Sequence, residues 1–180
     1  VPQWQRSKGQ LLITAALELS TNQITHFYST KKNTGEMIKM LMKLLRQYPD
    51  EKTIYISWDA ASWHVSKALK ETVDEINNTE ERRSGKSPLV KLTPLPASAQ
   101  FLNVIESVYS GMCRAIIHTS DYQSIEECKT AIDRYFAERN QKFQENPERA
   151  GNKIWGKERC NARFSDSNNC KDPLFSYVSI

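Results

Sequence analysis

The stretch TIYISWD, running from Thr53 to Asp59, is too short for a helix and rich in β-branched and aromatic residues, so it reads as a strand. Its alternation is blurred, which predicts burial on both faces, as in sheets with helices above and below. Helical patterns flank it. From Thr34, taken as the N-cap, Ile38, Leu41, Leu45 and Tyr48 recur on one stripe before Pro49 ends the helix. Downstream, Val65, Leu69, Val73 and Ile76 form a second stripe that starts at Ser62 or Ser66. A strand set between two amphipathic helices is the signature of an α/β sheet.

Further out, QLLITAALEL (10–19) places Ile13, Ala15, Leu17 and Leu19 on one face, and after a short turn QITHFYST (23–30) resumes as a second strand. Residues 77–88 carry Gly85 and Pro88 without periodicity and read as a surface loop, and LVKLTPLP (89–96) is a strand stopped by its prolines. A third helix is expected over 102–118, with Leu102, Ile105, Tyr109, Met112 and Ile116 on its apolar stripe. A fourth opens at Ser124, where Ser-Ile-Glu-Glu127 is a capping box, and its pattern fades beyond Asn140. The order is hairpin, helix, strand, helix, strand, helix, helix. An open mixed sheet flanked by helices accommodates it with right-handed parallel crossovers.

With 180 residues, 39% hydrophobic, the chain suits one core, assigned to residues 1–145, followed by a polar tail, 146–180. The window 139–171 is basic, with eight Lys/Arg against four Asp/Glu, while the whole chain is only +4. This permits a nucleic-acid partner without requiring one. No apolar run approaches the roughly 18 residues of a membrane span, and the N-terminus lacks the apolar core of a signal peptide; a soluble, cytoplasmic protein is expected. The four cysteines, at 113, 128, 160 and 170, form no CxxC pair and have no His at zinc-finger spacing. A structural zinc site is therefore unsupported. Cys113 and Cys128 fall in helical patterns as buried thiols.

Two carboxylates draw attention. Asp59 stands at the carboxyl end of a strand, where open α/β sheets place functional groups, and Glu106 stands near the start of the third helix. Each also has a structural reading: Asp59 as a helix cap, and Asn103-Val-Ile-Glu106 as a capping pair. If delivered to one site, the pair suits divalent cations in a phosphoryl transfer, with no side-chain nucleophile required. There is no G-x-S-x-G, P-loop, GxGxxG or HExxH to suggest other chemistry.

WDAASWH (58–64), LPASAQFLNVIESVYSGMCRAI (95–116) and SDYQSIEECKTAIDRYFAERN (120–140) together resemble the catalytic domain of the DDE superfamily transposases and endonucleases. The nearest likeness is to the bacterial insertion-sequence branch related to mariner elements, over about residues 4–145. The resemblance implies an RNase-H-like fold, a mixed sheet flanked by helices, in which three carboxylates bind two Mg²⁺ (or Mn²⁺) ions. It implies cleavage at the terminal inverted repeats of a DNA element and joining to target DNA, by a homodimer, in the bacterial cytoplasm at the nucleoid. Asp59 matches the second catalytic Asp and Glu106 the final Glu, both as metal ligands. His64, Trp58, Trp63, Lys67, Asn103 and Arg114 are candidates for supporting the site or contacting DNA, and the tryptophans for stacking on a frayed base, with packing and solvated charge as the structural alternatives.

Four departures qualify the match. The family's first Asp lies on a strand preceding the hairpin, yet the earliest acidic residue here is Glu18, so the first strand is expected to be lacking. Glu18 substitutes only if residues 10–19 are that strand. Ala60 replaces the usual Asn, and Val104 replaces a frequent Pro. The spacing, 106 − 59 = 47 positions, is long for this branch, with the loop 77–88 to absorb the excess. Two alternatives follow: a non-catalytic or domesticated remnant that binds DNA or protein, and another RNase-H-like nuclease with the same metal chemistry and a different substrate.

Overall fold

A computed structural model describes residues 9–58, 66–95, 103–118 and 120–151. The hairpin forms as expected: β1 (Leu12–Leu17) pairs antiparallel with β2 (Ile24–Ser29), Leu17 opposite Ile24. Asn22 makes the turn with a left-handed φ of 61°, which Asn tolerates better than most residues. Helix α1 (Thr34–Gln47) follows, with Asn33 and not Thr34 as its N-cap: the Asn33 side chain accepts the Glu36 N–H at 3.1 Å. Strand β3 (Thr53–Ile56) leads to α2 (Lys67–Asn77), capped by Ser66. Strand β4 (Leu89–Leu92) pairs with β3 in parallel, as a strand-helix-strand crossover requires.

Several expectations are corrected. The segment 77–88 is not all loop: α3 (Glu80–Arg83) occupies it. Its acids lie in the first turn and its arginines in the last, complementing the helix dipole. Gly85, at φ 75°, then closes it, with Gly85 N–H on Arg82 O and Lys86 N–H on Glu81 O. The third helix is α4 (Ile105–Met112) continued by a π-helical turn (Cys113–Ile117), where the His118 N–H reaches back to Cys113 O. The last helix, α5 (Ile125–Glu145), runs past Asn140 to Glu145, and Ala150 beyond it is buried with its N–H on Leu19 O.

Regular β3 is shorter than TIYISWD and is covered on one face only. Ile54 and Ile56 turn toward α1 and α2, whereas Tyr55 is 64% exposed beside Lys91, whose ammonium sits 5.7 Å from the Tyr55 ring centroid. The blurred alternation comes from Tyr55, an amphipathic residue that β-propensity favours on either face.

Two cores result. Leu41 and Leu45 of α1 meet Trp58, Leu69, Val73 and Val90 in one. In the other, Ile24 of the hairpin meets Val108 and Met112 of α4 with Ile132 and Phe136 of α5. The helical stripes expected from periodicity are buried or half-buried, apart from Val65 and Leu102, which lie outside the described residues. Cys113 and Cys128 are half-buried against the second core, and burial pushes the Cys128 thiol up. Tyr28 donates to Asp133 Oδ1 at 2.7 Å, and His26 Nε2 lies 2.8 Å from the same oxygen. Burial alone would raise the Asp133 carboxyl, but the bonds from His26 and Tyr28 outweigh it and hold the carboxyl below its usual range.

Among the described residues the strands form two separate two-stranded ladders, not one open sheet. Their outer edges are closed by asparagine side chains. Backbone groups alternate direction along a strand. Because the Glu18 N–H bonds Gln23 O, Ile24 and His26 turn theirs away from β1. Asn140 meets both groups of Ile24, accepting its N–H at 2.8 Å and donating to its carbonyl at 2.8 Å, and the Lys43 ammonium donates to His26 O. On β4, Leu89 and Thr93 bond toward β3, so Val90 faces out. Asn77 meets it the same way: Val90 N–H to Asn77 Oδ1 at 2.8 Å, Asn77 Nδ2 to Val90 O at 2.9 Å. The remaining edges, of β1 and β3, carry no further strand among the described residues. No helix among the described residues is long and apolar enough to cross a membrane.

Candidate nuclease site

The segments that lead to the two sequence motifs both start from the carboxyl end of the β3–β4 ladder. Ladder hydrogen bonds continue past both strands: Thr93 N–H to Ile56 O and Leu95 N–H to Trp58 O, each at 2.8 Å. The chain therefore reaches Asp59 and Pro96 from adjacent, paired positions. Both the strand that leads to Asp59 and the segment that leads to Glu106 leave the sheet at the same end. Asp59 itself, with Trp63 and His64, lies outside the described residues.

Glu106 occupies the first turn of α4 and is exposed. An acid there is favoured by the unsatisfied N–H groups of the helix start. The Asn103 side chain makes no cap bond; its amide donates to Glu106 Oε1 at 3.3 Å, while the Glu106 N–H bonds Asn103 O at 3.1 Å. Asn103 thus orients the carboxylate and leaves Oε2 for another partner. Behind it, Val108 and Met112 root α4 in the second core, and Gly111 allows close approach of Tyr135 from α5.

The other predicted residues are distributed unevenly. Trp58 is 7% exposed and packs between α1 and α2, so it anchors the strand end and is unavailable for stacking on a base. Lys67 is exposed at the start of α2 and pairs with Glu71 at 3.2 Å, an i,i+4 pair of the solvated kind. Arg114 is exposed on the π-helical turn, one helical stretch beyond Glu106.

Glu18 does not belong to this end. It accepts from Ser20 at 2.5 Å and from the Tyr48 hydroxyl at 2.7 Å, bonds that hold its carboxyl low against the raising effect of burial. Tyr48 caps the far end of α1, whereas the near end is tied to α2 by Thr34 Oγ1 donating to Ser66 Oγ at 3.0 Å. The 14 residues of α1 put about 20 Å between the two ends. Glu18 is thus engaged by Ser20 and Tyr48 at the opposite end of α1 from Ser66.

Among the described residues no group of three or more His, Cys, Asp or Glu side chains gathers as a metal cage. The donor chemistry nonetheless suits a hard cation: Glu106 offers a free carboxylate oxygen at an exposed position, with an amide fixing the other.

The side chain of Asn103, a candidate supporting residue from the sequence, bonds the Glu106 carboxylate and not the helix start. The signal in the sequence is their i,i+3 spacing, which also reads as a capping pair. No curated protein matches the chain. A family model described as DDE superfamily endonuclease matches residues 2–129, well over half of it. The DDE endonucleases act on DNA and generally use divalent metals, and the exposed Glu106 and the strand delivering Asp59 both fall inside the matched region. This chain belongs to the DDE superfamily of endonucleases.

Proposed function

We propose that the chain is the catalytic domain of a transposase of the mariner-related insertion-sequence type, with an RNase-H-like fold, and that it cleaves and transfers DNA strands at element ends. The observation that carries this reading is the continuation of the β3–β4 ladder through Trp58 and Leu95, which sends the two acidic segments out at one end. Asp59 and Glu106 would hold Mg²⁺ or Mn²⁺ through carboxylate oxygens. When bound, such ions activate an attacking hydroxyl and neutralise the leaving oxygen of a phosphodiester. Asn103 keeps Glu106 in one orientation; His64, Trp63, Lys67 and Arg114 would contact the DNA around the scissile phosphate. Residues 1–145 are the catalytic domain and 146–180 a basic tail for DNA. A homodimer on paired inverted repeats, at the nucleoid of a bacterial cell, completes the reading.

The third carboxylate has a place in the sheet. The outer edges of the two ladders are closed by Asn140 and Asn77, while β1 and β3 keep edges without a further strand among the described residues. In the RNase-H-like reading, a strand bearing the first Asp would pair with one of these edges. The second reading is a catalytically inactive or domesticated remnant that acts as a DNA- or protein-binding module.

The test is a cleavage and strand-transfer assay on element-end DNA with Mg²⁺ or Mn²⁺, paired with metal titration of thermal stability. A metal-induced rise in melting temperature that Asp59→Asn and Glu106→Gln abolish supports the enzyme reading. No metal response in the wild-type chain favours the binding module, and robust strand transfer by this polypeptide alone would contradict the need for a third carboxylate.

A further inference from the structure

Helix α1 differs from the other long helices in the sign of its surface. Between residues 31 and 46 there are five Lys/Arg (Lys31, Lys32, Lys39, Lys43, Arg46) and one acid, Glu36. That acid is buried at 8% exposure and spent internally, on Ser29 and Lys39. All five basic residues are exposed, and Lys39, Lys43 and Arg46, spaced i, i+4, i+7, share one face. The faces of α2 and α5 are mixed: two basic and three acidic residues on α2, four and five on α5. Such mixed faces are ordinary solvated surfaces; a single-sign row is not. From Lys32 to Arg46 the row covers about 21 Å, roughly six base pairs of duplex. It carries no aromatic side chain on which an unpaired base would stack, so a single strand is a poor fit. Its Lys31–Lys32 end adjoins the Thr34–Ser66 hydrogen bond and hence the carboxyl end of β3.

We infer that the exposed face of α1 binds the phosphate backbone of duplex DNA, as a track that leads to the carboxylate end of the sheet. The inference rests on the nuclease reading for its choice of polymer, but it uses residues other than Asp59 and Glu106. Binding of a labelled mixed-sequence duplex is measured by anisotropy across a range of salt, in EDTA so that no metal contributes. Lys39→Gln/Lys43→Gln/Arg46→Gln should flatten the log K against log salt slope by about 2 to 3 and weaken binding on the order of a hundredfold near physiological salt. Lys43 also bonds His26 O, so Lys32→Gln/Arg46→Gln serves as a second variant that leaves that bond intact, with a slope change of about 2. Lys39→Arg/Lys43→Arg should keep the slope, as should Arg134→Gln/Lys142→Gln on the mixed face of α5. A slope unchanged in both α1 variants, or lost equally in the α5 control, overturns the inference. No metal-induced rise in melting temperature together with the slope effect would sink the nuclease reading alone; a metal-induced rise with an unchanged slope would sink the track alone.

Discussion

Replacing Asn77 by Ala tests whether the outer edge of the β3–β4 ladder is sealed by one side chain. Asn77 ends α2, and its amide meets both backbone groups of Val90, a residue only 2% exposed. Truncation leaves one buried N–H and one buried C=O without partners, each costing about 1–3 kcal/mol. The sum is about 2–6 kcal/mol, or a fall in melting temperature of roughly 2–4 °C for each kcal/mol in a chain this size. Asn77→Asp keeps the acceptor for the Val90 N–H but sets a carboxylate against Val90 O at a helix C-terminus, where the dipole also disfavours it. It should be no better than Ala at neutral pH. Urea denaturation with an unchanged m-value is the assay, since a changed slope would mean altered compactness and not a lost bond. A loss under about 0.5 kcal/mol for Asn77→Ala would refute the sealed-edge argument, because solvent would then be reaching Val90's backbone.

Asn140→Ala should behave alike, by about 2–6 kcal/mol, since it orphans both backbone groups of Ile24 on the outer edge of β2, as chemical denaturation would show. Phe136→Ala, at 1% exposure between hairpin and α5, should cost about 3–5 kcal/mol and lower the melting temperature without altering the metal response per folded molecule. Asp133 titrates below its unfolded value, so its contribution is present above the usual carboxylate range and lost as pH falls through the folded value. Acid melts of wild type and Asp133→Asn should therefore converge below pH ~4, and parallel curves would contradict the His26–Asp133–Tyr28 linkage. Asn103→Ala, which frees Glu106 to reorient, should weaken the metal-induced thermal shift while leaving stability without metal within about 0.5 kcal/mol, read by differential scanning with Mn²⁺.

The division between local and long-range information is clear at particular residues. Helix positions and the hairpin were legible because amphipathic spacing and caps act over a few residues: Ser66, Ser124 and the stripe through Ile132 and Phe136 all behave as their patterns require. The site was legible in part for the same reason, Glu106 being set by a first-turn position and the path to Asp59 by a strand end. The faces and edges of the strands were not legible. Whether Tyr55 is covered, whether Trp58 stacks or packs, and whether Asn77 and Asn140 seal an edge depend on groups 13 to 116 positions away in sequence. Glu18 illustrates the limit: its acidity suggested a metal ligand, and Tyr48 at the far end of α1 assigns it to the fold instead. By itself, then, the sequence determined which segments are helix or strand and which acids stand at their ends. Only the tertiary structure decided which edges are closed, which acids are spent on hydrogen bonds and where unbalanced charge is left, because backbone pairing and burial are settled between segments and not within them.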